Sequence, residues 1–180
     1  MSKKKKRSSY LRDFRQDEAG TYRYEGDRYE LEGENRAGGA RRILRTQAVL
    51  AALAAALLLG AGCVPAPGIS GCAYVLLPYI ASLMGAVSSC LAAFRLAAAE
   101  YPVRAYVYEG AAGKLPVRSG LCAGASAAAL VGEAVWILTE GMSGKAGYTA
   151  LYCLLQGAAL LDALCLCRFA RQLGWRKIHG

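Results

Sequence analysis

Residues 48–63 read AVLAALAAALLLGAGC, a run with no charge, no amide side chain and no proline. Extended to about Ile43–Val64, it reaches the roughly 20 residues that a helix needs to cross a hydrocarbon core of about 30 Å. Three further stretches have the same character, at about 73–96, 119–139 and 146–167. Open strands cannot span lipid, because an unpaired backbone amide or carbonyl finds no partner there. These runs are dominated by alanine and leucine and lack the strict alternation of a transmembrane barrel. The expected fold is therefore an all-α membrane protein, a four-transmembrane-helix bundle.

Composition agrees. Of 180 residues, 55% are hydrophobic before 21 glycines are added, well above the share in an ordinary soluble domain. Charge is concentrated at the front: residues 2–45 hold 13 of the 22 basic and eight of the 13 acidic side chains. This distribution excludes a soluble globular enzyme, a disulfide-stapled secreted domain and a wholly disordered chain. It divides the sequence into a polar segment 1–42, a membrane domain 43–168 with an internal connection 97–118, and a tail 169–180.

Orientation is read from the connections. Residues 65–72 carry no charge and 140–145 a single lysine. The middle connection carries Arg95, Arg104, Lys114 and Arg118, and the tail carries Arg168, Arg171, Arg176 and Lys177. With the N-terminal segment, 21 of 22 basic residues fall on one side, so the positive-inside rule expects both termini in the cytoplasm of a cell membrane. The ending Leu59–Cys63 loosely resembles a lipoprotein cleavage site. The long polar segment ahead of it is unlike the short charged start of a signal peptide, so an uncleaved helix is expected.

Inside a bilayer, close approach at small residues holds helices together. Gly120, Gly124, Ala128 and Gly132 recur every four residues, and this stripe is expected to pack on a neighbouring helix, of the same chain ahead of a second copy. Polar groups within the spans are few: Glu133, Gln156 and Asp162, with Ser88 and Ser89. Intramembrane acids are costly and often mark an ion path. In the functional reading, Glu133 and Asp162 are stations on a proton or cation route. In the structural reading, Asp162 pairs with Arg45 or Arg95, and Glu133 hydrogen-bonds Tyr79, Ser82 or Tyr152.

Seven cysteines show no metal-ligand spacing, although Cys63 and Cys72 flank one connection and suit a disulfide if that side is oxidising. No nucleotide loop, catalytic triad or redox pair is present, so neither an enzyme nor a cofactor is expected. Lys3–Arg7 suits anionic lipid headgroups. Acidic residues follow it without a binding fold, so nucleic acid is not expected as a partner.

The N-terminal segment also carries a tyrosine-rich phrase. Residues 21–32 read as a cytoplasmic β-hairpin with Tyr22, Tyr24 and Tyr29 on its strands and a turn at Gly26-Asp27. The echo around Tyr106 and Tyr108 suggests that residues 105–117 join it in a small sheet, with Pro116 near an edge. The tail mixes basic and aromatic residues, which suits an interfacial extension of the last helix. Two functions remain in view. One is a non-enzymatic accessory, assembly or scaffold subunit that meets a protein partner or a second copy in the membrane. The other is a small proton- or cation-coupled transporter or channel built on Glu133 and Asp162. Alkaline phosphatase fused after Gly68 is expected to be active, and fused after Gly113 inactive; the opposite pattern inverts the topology.

Overall fold

The computed structural model describes residues 14–16, 22–24, 26–33, 37–141 and 146–178. In chain order these form strands β1 (Phe14–Gln16), β2 (Tyr22–Tyr24) and β3 (Arg28–Leu31), then helix α1 (Ala37–Gly62). Helix α2 (Pro67–Gly71) fills the first connection and α3 (Ala73–Ala98) follows. Strand β4 (Val103–Arg104), helix α4 (Ala105–Gly110) and a 3-10 turn at Ala112–Lys114 lead into α5 (Leu115–Glu140). Helix α6 (Ala146–Gln172) and strand β5 (Trp175–Ile178) complete the chain. Four helical segments are long and apolar enough to cross a membrane, as the sequence predicts. The connection 97–118 is largely helical, and Pro78 lies inside α3.

The helices form a ring in which α1 and α5 each pack on both α3 and α6. Thr149, Tyr152, Gln156, Ala159, Ala163 and Leu166 are buried on α6 at alternating steps of three and four, with Cys167 beside the last of them. The same rhythm runs through Val75, Tyr79, Ser82, Ala86 and Ser89 on α3, and through Ser119, Cys122, Ser126, Ala129 and Glu133 on α5. A repeat of 3.5 residues keeps one seam of each helix on its neighbours in a left-handed bundle. Most of the side chains along this seam are small or polar. Many large aliphatic ones lie outside: Leu138, Leu154 and Met84 are 85%, 70% and 69% exposed. Water would penalise that arrangement, whereas lipid does not.

The seam departs from the glycine stripe expected on α5. Gly132 is buried against the Tyr74 carbonyl, but Gly124 and Ala128 are exposed, and a side chain added at Gly124 would meet nothing within 4 Å. A four-residue step drifts around the helix, while the seam follows steps of three and four. The close approach lies elsewhere: a Cβ at Gly85 would fall 3.1 Å from the Cys122 Cα. Trp136 turns into the seam, while Tyr74 and Tyr148 are about half exposed.

The sheet also differs from its expectation. Strand β2 pairs antiparallel with β1, and not across Gly26-Asp27 with β3. Strand β3 is the centre of a three-stranded antiparallel sheet in the order β4-β3-β5. Two partners satisfy both of its edges, whereas an isolated hairpin is marginal in water. Leu31 and Val103 turn into an apolar cluster with Leu44, Leu96 and Leu115, which ties the sheet to the helix ends. The two tyrosine phrases do meet, but through stacking: Tyr29 lies 4.0 Å from Tyr108 of α4, centroid to centroid, and Trp175 packs on Tyr108 at 5.3 Å. Tyr106 and Tyr108 are therefore helical, and Pro116 sits in the first turn of α5 rather than at a sheet edge. The side chains of Tyr22 and Tyr24, and the run Lys3–Arg7, lie outside the described residues.

The tail turns at Gly174 into β5 instead of extending α6 along the interface. Lys177 pairs with Asp27 at 2.7 Å, and this hydrogen bond holds its ammonium above the ordinary lysine range. Replacing Gly85 by leucine would force α3 and α5 apart and is expected to cost about 2–3 kcal/mol. Gly124→Leu should leave stability nearly unchanged. Thermal unfolding of both variants in detergent checks the contrast, and equal loss in the two would refute this placement of the seam.

Candidate functional site

The polar residues of the seam are themselves periodic. Ser82 and Ser89 on α3 lie seven residues apart, as do Thr149 and Gln156 on α6, and Ser119, Ser126 and Glu133 on α5. Two helical turns separate each from the next, so all of them face the bundle axis. Glu133 and Gln156 are fully buried and Asp162 is half-buried.

Glu133 sits toward the end of the bundle opposite the three-stranded sheet, beneath α2. Pro67 opens this short helix, and the chain then packs on both α3 and α5. Gly68 of α2 is buried directly against Glu133, and a side chain there would run into the carboxylate. The constraint at this point is close approach to the Glu133 side chain, which would have to move for any larger residue, and not backbone conformation. Gly62 serves similarly beside the Tyr79 ring, whose hydroxyl donates to the Leu58 carbonyl at 2.9 Å.

Deeper in the bundle, Gln156 Nε2 donates to Ser82 Oγ at 3.4 Å, and Ser82 Oγ donates to the Tyr79 carbonyl at 2.7 Å. Cys122 Sγ donates to the Ser82 carbonyl at 3.3 Å. Asp162 lies beside the Ala54 backbone. Ten residues separate it along α6 from Tyr152, which is near enough to Glu133 to interact with its charge. That spacing is ~15 Å of axis.

Several buried oxygens of the bundle have no hydrogen-bond partner among the described residues. They are both carboxylate oxygens of Glu133, Tyr152 Oη, Gln156 Oε1, Ser126 Oγ, Asp162 Oδ2 and Gln47 Oε1. The bonds expected from Glu133 to Tyr79, Ser82 or Tyr152 are therefore not made. Nor is the expected Asp162 pair with Arg45 or Arg95 found among the described ion pairs. Taking a carboxylate out of water is expensive unless it holds a proton or a counter-cation. The column thus offers one enclosed acid at one end and a second acid further along, with hydroxyl and amide groups between them.

Sequence reading found Glu133, Gln156 and Asp162 but missed Gly68, Ser126 and Gln47. The seven-residue spacing of the polar positions is the signal that would have found Ser126. Gly68 has no such signal, because its partner is distant in sequence. The cysteines add no ligand set: no group of three metal-binding side chains occurs among the described residues, and Cys63 and Cys72 are free thiols.

Gly68→Ala is expected to cost about 1–3 kcal/mol by displacing the Glu133 side chain. Most of that loss should vanish in a Glu133→Ala background; additive losses in a double-mutant cycle would sink the contact. Searched against protein-family models, curated proteins and solved structures, the chain matches none of them.

Proposed function

We propose that this chain is a small proton- or cation-handling membrane protein, with Glu133 as the group that takes up the ion. The supporting observation is the fully buried Glu133 carboxyl, neither oxygen of which is hydrogen-bonded within the described chain. A subunit that served only to pack against others would be better stabilised by an apolar residue at this place. The column of Tyr152, Ser126, Gln156 and Asp162 supplies groups that can pass a proton or shed water from a cation step by step. In this reading α2 is the cap over the site, and Gly68 is the point where the cap meets the acid. The sheet-bearing end faces the cytoplasm of a cell membrane, in accord with the charge of the connections.

Purified protein in liposomes is expected to dissipate an imposed pH or cation gradient, and Glu133→Gln to reduce the flux to that of empty vesicles. Asp162→Asn should reduce it in part. Equal flux from wild type and Glu133→Gln would remove Glu133 from the mechanism.

A second reading, an accessory or assembly subunit, is favoured by the three-stranded sheet. It gathers the N-terminal segment, the middle connection and the tail into one body, with Arg176 and Lys177 exposed on edge strand β5. Purification in mild detergent distinguishes the two: a stoichiometric second protein supports the accessory role, and a chain that carries flux alone supports the first.

A further inference from the structure

We propose that the outer face between α3 and α5 binds an anionic phospholipid, with Arg95 and Arg118 holding its phosphate and an acyl chain lying in the groove beyond them. Arg95 stands in the last turn of α3 and Arg118 in the first turns of α5. Both line one cavity of about 500 Å³, whose remaining walls include Leu83, Met84, Val87 and Leu91.

Arg118 is the unusual member of the pair. Its Nη1 donates to the Ser88 carbonyl at 3.2 Å. Ser88 is ten residues inside the end of α3, or ~15 Å along the axis. The guanidinium therefore lies at the level of the apolar spans rather than beyond them. Three acids of the sheet end are engaged with other cations: Glu100 with Arg104 at 2.9 Å, Glu30 with Arg176 at 4.0 Å and Asp27 with Lys177 at 2.7 Å; Glu32 and Glu109 are in no described ion pair. No described ion pair includes Arg95 or Arg118. A cation at this depth is costly without a counter-anion, and snorkelling toward Arg95 relieves only part of the cost. A phosphate matches the planar fork of one guanidinium and can bridge two. Basic pockets between spans at the membrane surface bind acidic headgroups on this principle.

The groove distinguishes a lipid from a small anion. A second cavity, about 550 Å³, shares Met84, Ser88 and Arg118 with the first and continues toward the middle of the spans past Gly85, Gly120 and Gly124. Its floor is low because glycine and alanine stand where a larger side chain would fill it. Exposed Gly124, which contributes nothing to the internal seam, thereby acquires a role: with Gly120 and Ala125 it keeps the groove open to the bilayer. A third cavity, about 510 Å³, adjoins at Arg95 on the side of the sheet. Glu100 lines it but is already paired with Arg104, so the positive charge at the mouth is retained.

The test uses the full chain purified in a neutral detergent and titrated with phosphatidylglycerol, phosphatidylcholine or inorganic phosphate. Bound lipid is read by native mass spectrometry and by thermal midpoint. Phosphatidylglycerol is expected to bind saturably and raise the midpoint, while phosphatidylcholine and phosphate do neither. Arg95→Gln/Arg118→Gln should weaken phosphatidylglycerol binding about tenfold or more. Gly124→Trp, which fills the groove at a position where nothing is displaced, should weaken it with both arginines intact. Undiminished binding by the arginine double variant overturns the proposal, as does equal binding of phosphatidylcholine. Equal protection by inorganic phosphate would reduce the site to a small-anion pocket and also overturn it. Should the arginine variant fail to fold, unchanged binding by Gly124→Trp has the same force.

Discussion

Close approach of four helices along a seam repeating every 3.5 residues governs this molecule. Hydrophobicity cannot drive that approach in lipid, so it depends on side chains short enough to bring backbones together. The contact between Gly85 and Cys122 shows how little room is left: one added carbon would already stand 3.1 Å from the opposite Cα. Once helices are this close, hydroxyls and amides along the seam face each other instead of water. Ser82 illustrates the consequence, since its Oγ bonds the Tyr79 carbonyl while accepting from Gln156 of another helix. Serine is small enough for the seam and polar enough to satisfy a neighbour. The buried column is thus in part a by-product of packing with small residues, and Glu133 is the member that packing alone does not explain.

The two ends of the bundle are closed by different means, and each follows from the chain near it. At one end the first connection is only a few residues long and carries two prolines, so it folds as a short helix pressed over the bundle. At the other end three polar segments emerge together: before α1, after α3 and after α6. None has enough apolar surface to fold alone, but Leu31, Val103 and the Tyr29–Tyr108–Trp175 stack provide a shared one. The sheet is consequently assembled from segments far apart in sequence.

That distance explains what the sequence disclosed and what it withheld. The four spans were legible because length and apolarity are local properties, and α3 begins at the expected Ala73. Strand pairing was not: Tyr22 and Tyr24 have hairpin-like spacing from Tyr29, yet β3 takes its partners from Val103–Arg104 and Trp175–Ile178. A local pattern cannot rank a nearby strand against two distant ones. The glycine stripe misled for a related reason. A step of four looks like a packing motif when one helix is read alone, but the neighbours on both sides impose steps of three and four. Glu133 was found because a carboxylate among aliphatic residues is conspicuous. Gly68, which meets it, was read only as part of a loop.

Small residues therefore do two different jobs on α5, and the direction they face decides which. Facing inward, Gly132 lets α5 meet the Tyr74 backbone. Facing outward, Gly124 brings no neighbour close and, with Gly120 and Ala125, leaves the surface depressed between two helices. A depression of that kind exposes backbone and forfeits contacts that a leucine would make with lipid. It is accounted for if something longer and thinner than a side chain lies in it. Arg118 carries a related cost at the same face, a charge held at the level of the apolar spans against a main-chain carbonyl. One amphipathic occupant relieves both costs: its apolar chain covers the glycines while its anionic head meets the arginines. Neither feature alone implies a ligand, but together they call for the two ends of the same molecule.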